Sequence, residues 1–189
     1  MIAVDLSLRS AGLVDLGLSG SLRKCKVIRI DKKEADDEHL LLAIEKQVLQ
    51  FAAESPAVTA YTTGAQAPAM FALEGLAFMG TSGRRDLIDG NWWNLKKELR
   101  QAYPNAVIDV VPVTKWRASV LSREEQRAAK AAHKTEGLKL ACVAKLPAEV
   151  HGAFTQYLAD NGLPHKAIFD LTDAYWLGRF TLAAHLQPK

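Results

Sequence analysis

The first thirty residues of the chain predict three short strands joined only by turns. Ile2, Val4 and Leu6 alternate with other residues, which is the period of a β-strand. A polar turn leads into a second apolar segment at 12–18, and a Ser-Gly-Ser turn leads into a third at 22–30. Turns this short leave no room for a crossover, so the three strands are expected to pair as an antiparallel meander.

Helices and strands alternate in the rest of the sequence. The patterns predict a helix, a buried strand, a second helix, a last strand that stops near Pro112, and helices from Ser122 onward. The order β-β-β-α-β-α-β-α predicts an α/β fold with a mixed five-stranded sheet, the first strand in its centre and helices on both faces. A length of 189 residues, 49% of them hydrophobic, suits a single domain over 1–189.

Composition excludes several classes of protein. Met1 leads straight into a strand pattern without the basic segment of a secretory signal, and no apolar run reaches the ~20 residues of a membrane span. Cys25 and Cys142 lack metal-ligand spacing and are expected to be reduced thiols. We therefore expect a cytoplasmic protein with no membrane partner. The net charge of +3 permits a polyanionic partner without requiring one.

Two acids interrupt segments that otherwise predict buried strands. Asp5 lies between Val4 and Leu6, and Glu74 follows a Phe-Ala-Leu run. An ionised carboxylate in such a place is disfavoured unless a cation compensates it. The alternative is that each acid lies at a strand end and meets solvent or a lysine.

Two more acids stand three residues apart in the apolar segment IFDLTDAYWLGRF at 168–180. On a helix, Asp170 and Asp173 would share one face, about 5–6 Å apart at Cβ. Adjacent carboxylates repel unless a cation lies between them. The alternative is that Asp170 caps a helix that starts at Leu171, with Asp173 in its first turn.

The four acids together predict an oxygen-only metal site. Carboxylate oxygens suit Mg²⁺ or Mn²⁺, and no Cys/His cluster offers ligands for zinc. Four carboxylates can hold two ions ~3.5–4 Å apart, one activating the attacking water and the other stabilising the leaving oxygen of a phosphoryl displacement. The predicted metal-binding and catalytic residues are Asp5, Glu74, Asp170 and Asp173.

These segments resemble a known family. Asp5 in VDLSLRSAG, Glu74 in FALEGLAFM and the DLTDAYWLG segment that begins at Asp170 resemble the RuvC family of Holliday-junction resolvases, in the ribonuclease H-like superfamily. The family has an Asp on its first strand ahead of a Gly-bearing turn, a Glu on its fourth strand and a D-x-x-D-A helix. The resemblance covers nearly the whole chain. The ordered set of motifs is moderately specific, although no single motif is.

The resemblance implies a metal-dependent endodeoxyribonuclease. Members of the family are homodimers that cut two opposing strands of a four-way DNA junction and leave 5′-phosphate and 3′-hydroxyl ends. This chain departs from the family pattern, because Asp5-Leu6-Ser7 stands where Asp-Pro-Gly is usual, and because 121–170 is longer than in common bacterial members. It therefore resembles a divergent relative, with a bacteriophage as candidate source.

Candidate DNA contacts follow from the resemblance and from the basic segments. Arg84 and Arg85 lie in a glycine-flanked loop that suits phosphate, and the segment after the fifth strand matches a basic DNA contact of the family. Phe78 lies near the place where the family has an aromatic residue that inserts at the junction crossover. The alternatives are a solvated loop for the two arginines, an ordinary charged helix face for the lysines and core packing for Phe78. The predicted DNA-binding residues are Arg84, Arg85, Lys115, Arg117, Lys130, Lys134 and Phe78.

Trp92 and Trp93 lie on the helix that matches the dimer-forming helix of the family, with packing in the monomer core as the alternative. Two other functions stay open. A ribonuclease H that cuts RNA–DNA hybrids is disfavoured, because its third acid comes from a strand region rather than from a pair on the last helix. A non-catalytic junction-binding module is disfavoured by the presence of all four acids.

Overall fold

The structure is a computed structural model that describes residues 1–7, 10–30, 37–56, 58–59, 68–75, 85–134 and 136–186. Five strands form one sheet in these ranges. The strands are β1 (Ile2–Leu6), β2 (Ser10–Leu16), β3 (Leu22–Arg29), β4 (Met70–Gly75) and β5 (Val107–Pro112). The helices are α1 (Asp37–Ala53), α2 (Arg85–Ala102), α3 (Val113–Val120), α4 (Arg123–Ala132), α5 (Gly137–Ala144), α6 (Ala148–Asp160) and α7 (Ile168–Leu186).

The sheet has the order β3-β2-β1-β4-β5, with β1 in the centre. The first three strands pair antiparallel, as their short turns require, whereas β4 and β5 return parallel to β1 after helical crossovers. This mixed five-stranded sheet confirms the predicted fold class and the central place of the first strand.

One face of the sheet is covered by α1 and α2. Ile44, Val48 and Phe51 of α1, with Leu95 and Leu99 of α2, pack on apolar side chains that alternate residues of the strands send to this face. The sheet side chains in this core include Ile2, Val4, Leu13, Phe71 and Leu73. The apolar residues of α1 and α2 recur at helical spacing, which places them on the helix faces that pack against the sheet.

The opposite face is covered by α7, with α3 and α6 beside it. Ala3, Val14 and Leu16 of the strands join Tyr175 and Leu177 of α7 in this second core. The helix approaches closely, since a Cβ at Gly178 would lie 2.8 Å from the side chain of Leu16. Helices therefore lie on both faces of the sheet, as predicted.

The chain enters α3 without a loop after β5, which the sequence pattern did not predict. Pro112 is the N-cap of α3, a position where a missing N–H costs no helical hydrogen bond. The next helix, α4, begins with a capping box, because Ser122 and Glu125 exchange side chain–backbone hydrogen bonds. None of the described helices is both long and apolar enough to span a membrane.

Candidate active site

Strand register brings Asp5 and Glu74 side by side. Val4 of β1 pairs with Leu73 of β4, so the next residues along these parallel strands are Asp5 and Glu74. Both point to the face that α7 covers, because Ala3 and Ala72, two residues earlier on each strand, lie in that core. Each acid is half-buried and is the penultimate residue of its strand. Both acids therefore lie near strand ends, as the alternative interpretation of the sequence predicted.

The first turns of α7 bring Asp170 and Asp173 to the same place. The helix starts at Ile168 after a short 3₁₀ turn, so Asp170 lies inside it and the N-cap alternative is wrong. Gly12, the partner of Asp5 on β2, permits this approach, because a Cβ there would lie 2.0 Å from the carbonyl oxygen of Asp170. A larger residue at this position would push the helix away from the central strands.

Three cations approach the acids without making short hydrogen bonds. Asp173 Oδ2 lies 3.5 Å from Arg117 Nη2 and 4.0 Å from Lys139 Nζ. Asp170 Oδ2 lies 3.9 Å from Arg29 Nη2. These distances exceed the 2.7–2.9 Å or so of a charge-assisted hydrogen bond, so the pairs offset charge without fixing the carboxylates.

All four acids hold protons more tightly than isolated carboxyl groups do. Burial, and then repulsion from the other three carboxylates, raises the pKa of Asp5 well above its ordinary value. Burial and the charge of Asp173 raise the pKa of Glu74 to about 7, although Arg117 and the Trp116 indole oppose the change. Burial raises the pKa of Asp173 to about 6 against the opposing charges of Arg117 and Lys139, and burial also raises the pKa of Asp170.

The residues fit a hard divalent cation chemically. Oδ2 of Asp170 and Oδ1 of Asp173 are buried and accept no hydrogen bond from the described residues. A cation among the four acids would meet unsatisfied oxygens and favour the ionised form of each carboxyl group. Within the described ranges, no three acidic, His or Cys side chains already stand in a metal-coordinating arrangement. Binding would therefore require side-chain rotation.

Comparisons with known proteins support the fold. No protein-family model and no curated protein sequence matches the chain. Among solved structures, it is similar to Thermus thermophilus RuvC in complex with a Holliday junction substrate, at 13% identity and a TM-score of 0.58, over 98% of this chain and 94% of that one. A second Thermus thermophilus RuvC structure matches at 13% identity and a TM-score of 0.52, over 97% and 95% of the two chains. The chain has a RuvC-like fold.

Two residues near the acids were missed by sequence reasoning. Trp116 of α3 donates its indole N–H to Oε2 of Glu74 at 3.2 Å, and Arg29, at the end of β3, faces Asp170. The available signal for Trp116 was weak: an aromatic residue four positions after a strand-ending proline. Lys139 of α5, which is not among the predicted DNA contacts, approaches Asp173 with its ammonium group.

The predicted DNA contacts divide into three groups. Phe78 and Arg84 lie outside the described residues, as does the side chain of Arg85 at the start of α2. Lys115, Lys130 and Lys134 are exposed, and no described contact joins them to the acids. Arg117 is mostly buried, stacks on Trp116 at 4.8 Å and faces Asp173. Its nearest described ionic partner is thus a site carboxylate.

The two adjacent tryptophans of α2 have different environments. Trp92 is 7% exposed and packs in the protein, whereas Trp93 is 61% exposed. Their rings meet edge to face at 5.0 Å, and Lys96 Nζ lies about equally close to both, at 5.0 and 5.4 Å. The core alternative therefore holds for Trp92 and fails for Trp93.

Proposed function

We propose that this protein is a metal-dependent, structure-selective endodeoxyribonuclease that resolves four-way or other branched DNA junctions. The supporting observation is the meeting of four carboxylates from β1, β4 and α7 at one end of the central strands of a RuvC-like fold. The Holliday junction bound in one of the similar structures favours branched DNA over other phosphodiesters.

Asp5, Glu74, Asp170 and Asp173 are the proposed ligands of two Mg²⁺ or Mn²⁺ ions. When bound, such ions would lower the pKa of the attacking water and stabilise the leaving oxygen. Hydrolysis at the P–O3′ bond would leave a 5′-phosphate and a 3′-hydroxyl. The chain itself sets the backbone positions of the acids, two by strand register and two by the first turns of α7.

Arg117 and Lys139 have a proposed role before and after DNA binds. Both face Asp173 at 3.5–4.0 Å, where they offset part of the carboxylate charge. Metal ions bound to the acids would offset the carboxylate charge instead. Arg117 and Lys139 would then be available to bind the phosphates that flank the cleaved bond. Lys115, Lys130 and Lys134 are exposed and are proposed to contact phosphates farther along the junction arms.

We also propose a homodimer, because a four-way junction has two equivalent strands to cut and a two-fold dimer offers two equivalent sites. The exposed Trp93 on α2 supports an interface at this helix. Sedimentation of wild type and a Trp93→Ala variant tests the interface. A wild-type dimer that dissociates in Trp93→Ala would support this interface. A monomeric wild type would refute the homodimer without affecting the nuclease proposal.

The deciding experiment incubates purified protein with a labelled synthetic four-way junction, a linear duplex and an RNA–DNA hybrid, in Mg²⁺ and in EDTA. We expect paired nicks in the junction alone, lost in EDTA and in Glu74→Gln, and retained in Glu124→Gln, whose carboxylate is exposed on α4. Cleavage of the hybrid alone would indicate a ribonuclease H. Junction binding without cleavage would indicate a binding module.

A further inference from the structure

Trp116 has one polar side-chain atom, its indole nitrogen, and this atom has one described hydrogen-bond partner. The side chain is fully buried, and its indole N–H donates to Oε2 of Glu74 at 3.2 Å. A buried indole N–H usually has a hydrogen-bond partner, and here that partner is one of the four acids of the site. No described hydrogen bond reaches the other oxygen of Glu74.

Strand pairing and the direct start of α3 after β5 place Trp116 next to Glu74. Gly75, the residue after Glu74, pairs with Pro112 at the end of β5, and α3 begins at the next residue. Trp116 therefore lies about one helical turn from the strand end that carries the acid. Its ring is packed in the core on the α7 side of the sheet, with Leu121 and Cys142 among the residues of that core.

Arg117, the residue after Trp116, contacts a second acid of the site, Asp173. The guanidinium of Arg117 lies 4.8 Å from the centre of the Trp116 ring and reaches Asp173. Consecutive residues of α3 thus contact an acid from β4 and an acid from α7. Trp116 is the rigid member of the pair, because its ring is enclosed by the core whereas Arg117 approaches Asp173 only at 3.5 Å.

We propose that Trp116 is a positioning residue for Glu74, holding one carboxylate oxygen so that the other faces a metal ion. This inference rests on the proposed function. A glutamate side chain loses rotamer freedom when it binds an ion, and a partner that orients it beforehand lowers that cost. Hydrogen-bond partners of metal ligands commonly affect metal affinity and activity in this way.

Trp116→Phe removes the N–H and retains an aromatic ring in the core. Trp176→Phe is a matched control, since Trp176 of α7 donates its indole N–H at 3.1 Å to the backbone carbonyl of Cys142 rather than to a carboxylate of the site. Metal-free proteins are titrated with Mn²⁺ by calorimetry, without DNA. We expect Mn²⁺ affinity to fall by about 10- to 100-fold in Trp116→Phe and to be unchanged in Trp176→Phe. In junction cleavage, kcat should fall with an unchanged KM.

A second substitution separates the N–H from the shape of the ring. Benzothienylalanine at position 116 replaces the indole N–H by sulfur and keeps the bicyclic outline, so it should reproduce the loss of Mn²⁺ affinity while the protein stays folded. Wild-type affinity in this variant, or an equal loss in Trp176→Phe, would overturn the positioning role. A wild type that neither binds Mn²⁺ nor cuts junctions would instead overturn the proposed function.

Discussion

Replacing Glu74 by glutamine should stabilise the metal-free protein at alkaline pH while removing the proposed nuclease activity. Burial and the Asp173 charge raise the pKa of Glu74 from 4.5 to about 7. The folded state therefore binds this proton more tightly than the unfolded state does. The resulting stability is fully present below the unfolded pKa of about 4.5 and is lost as the pH rises through about 7.

The size of the effect follows from the same pKa difference. From 4.5 to about 7, at about 1.36 kcal/mol per pH unit, the free energy of unfolding falls by at most about 3 kcal/mol. Glu74 retains some contact with solvent, which screens the repulsion, so we expect about 2 kcal/mol. Glutamine has no charge to bury and can still accept the hydrogen bond from Trp116.

Thermal unfolding at pH 8.5 in EDTA should therefore give a Tm about 4–8 °C higher for Glu74→Gln than for wild type, and no such gain at pH 4.5. Mg²⁺ should raise the Tm of wild type and have little effect on the variant, because ligand binding to the folded state stabilises it. Glu124→Gln, at an exposed site on α4, controls for loss of a carboxylate. An unchanged or lower Tm for Glu74→Gln at pH 8.5 in EDTA would refute the reasoning.

Further substitutions test the packing around the site. Gly12→Ala should lower the free energy of unfolding by about 1–3 kcal/mol in denaturant titrations and weaken junction nicking, because the new Cβ would meet the Asp170 carbonyl at 2.0 Å. Gly152→Ala, in the middle of α6 with no atom near the new Cβ, should instead raise it by about 0.5–1 kcal/mol. Lys145→Ala should leave the Tm nearly unchanged in scanning fluorimetry, because Lys145 and its partner Glu125 are both exposed; a large fall would contradict this.

Much of the fold could be predicted because local rules determine it. The period of two in β1 and the short turns that follow leave an antiparallel meander as the simple solution. The two later strands need helical crossovers, which return them parallel to the centre of the sheet. The acids on β1 and β4 stand out for the same reason, because a charge inside an apolar strand pattern conflicts with burial.

The partners of the acids could not be predicted, because they depend on three-dimensional register. Trp116 is 42 positions from Glu74 in sequence and reaches it only because β4 and β5 are parallel neighbours and α3 follows β5 without a loop. Arg29 reaches Asp170 from β3, which is two strands away from the centre of the sheet. The sequence offers no periodicity that would link such residues.

The weak pairing of the acids is itself an argument for an exchangeable cation. A structural ion pair in a buried place needs close geometry and satisfied oxygens to offset the cost of desolvation. Here the cations lie 3.5–4.0 Å away, and one buried oxygen on each of Asp170 and Asp173 has no hydrogen-bond partner among the described residues. The four weakly paired acids therefore lower the stability of the metal-free protein at this end of the sheet. Local conflicts of this kind are expected where a protein binds and acts, and four carboxylates favour a divalent ion.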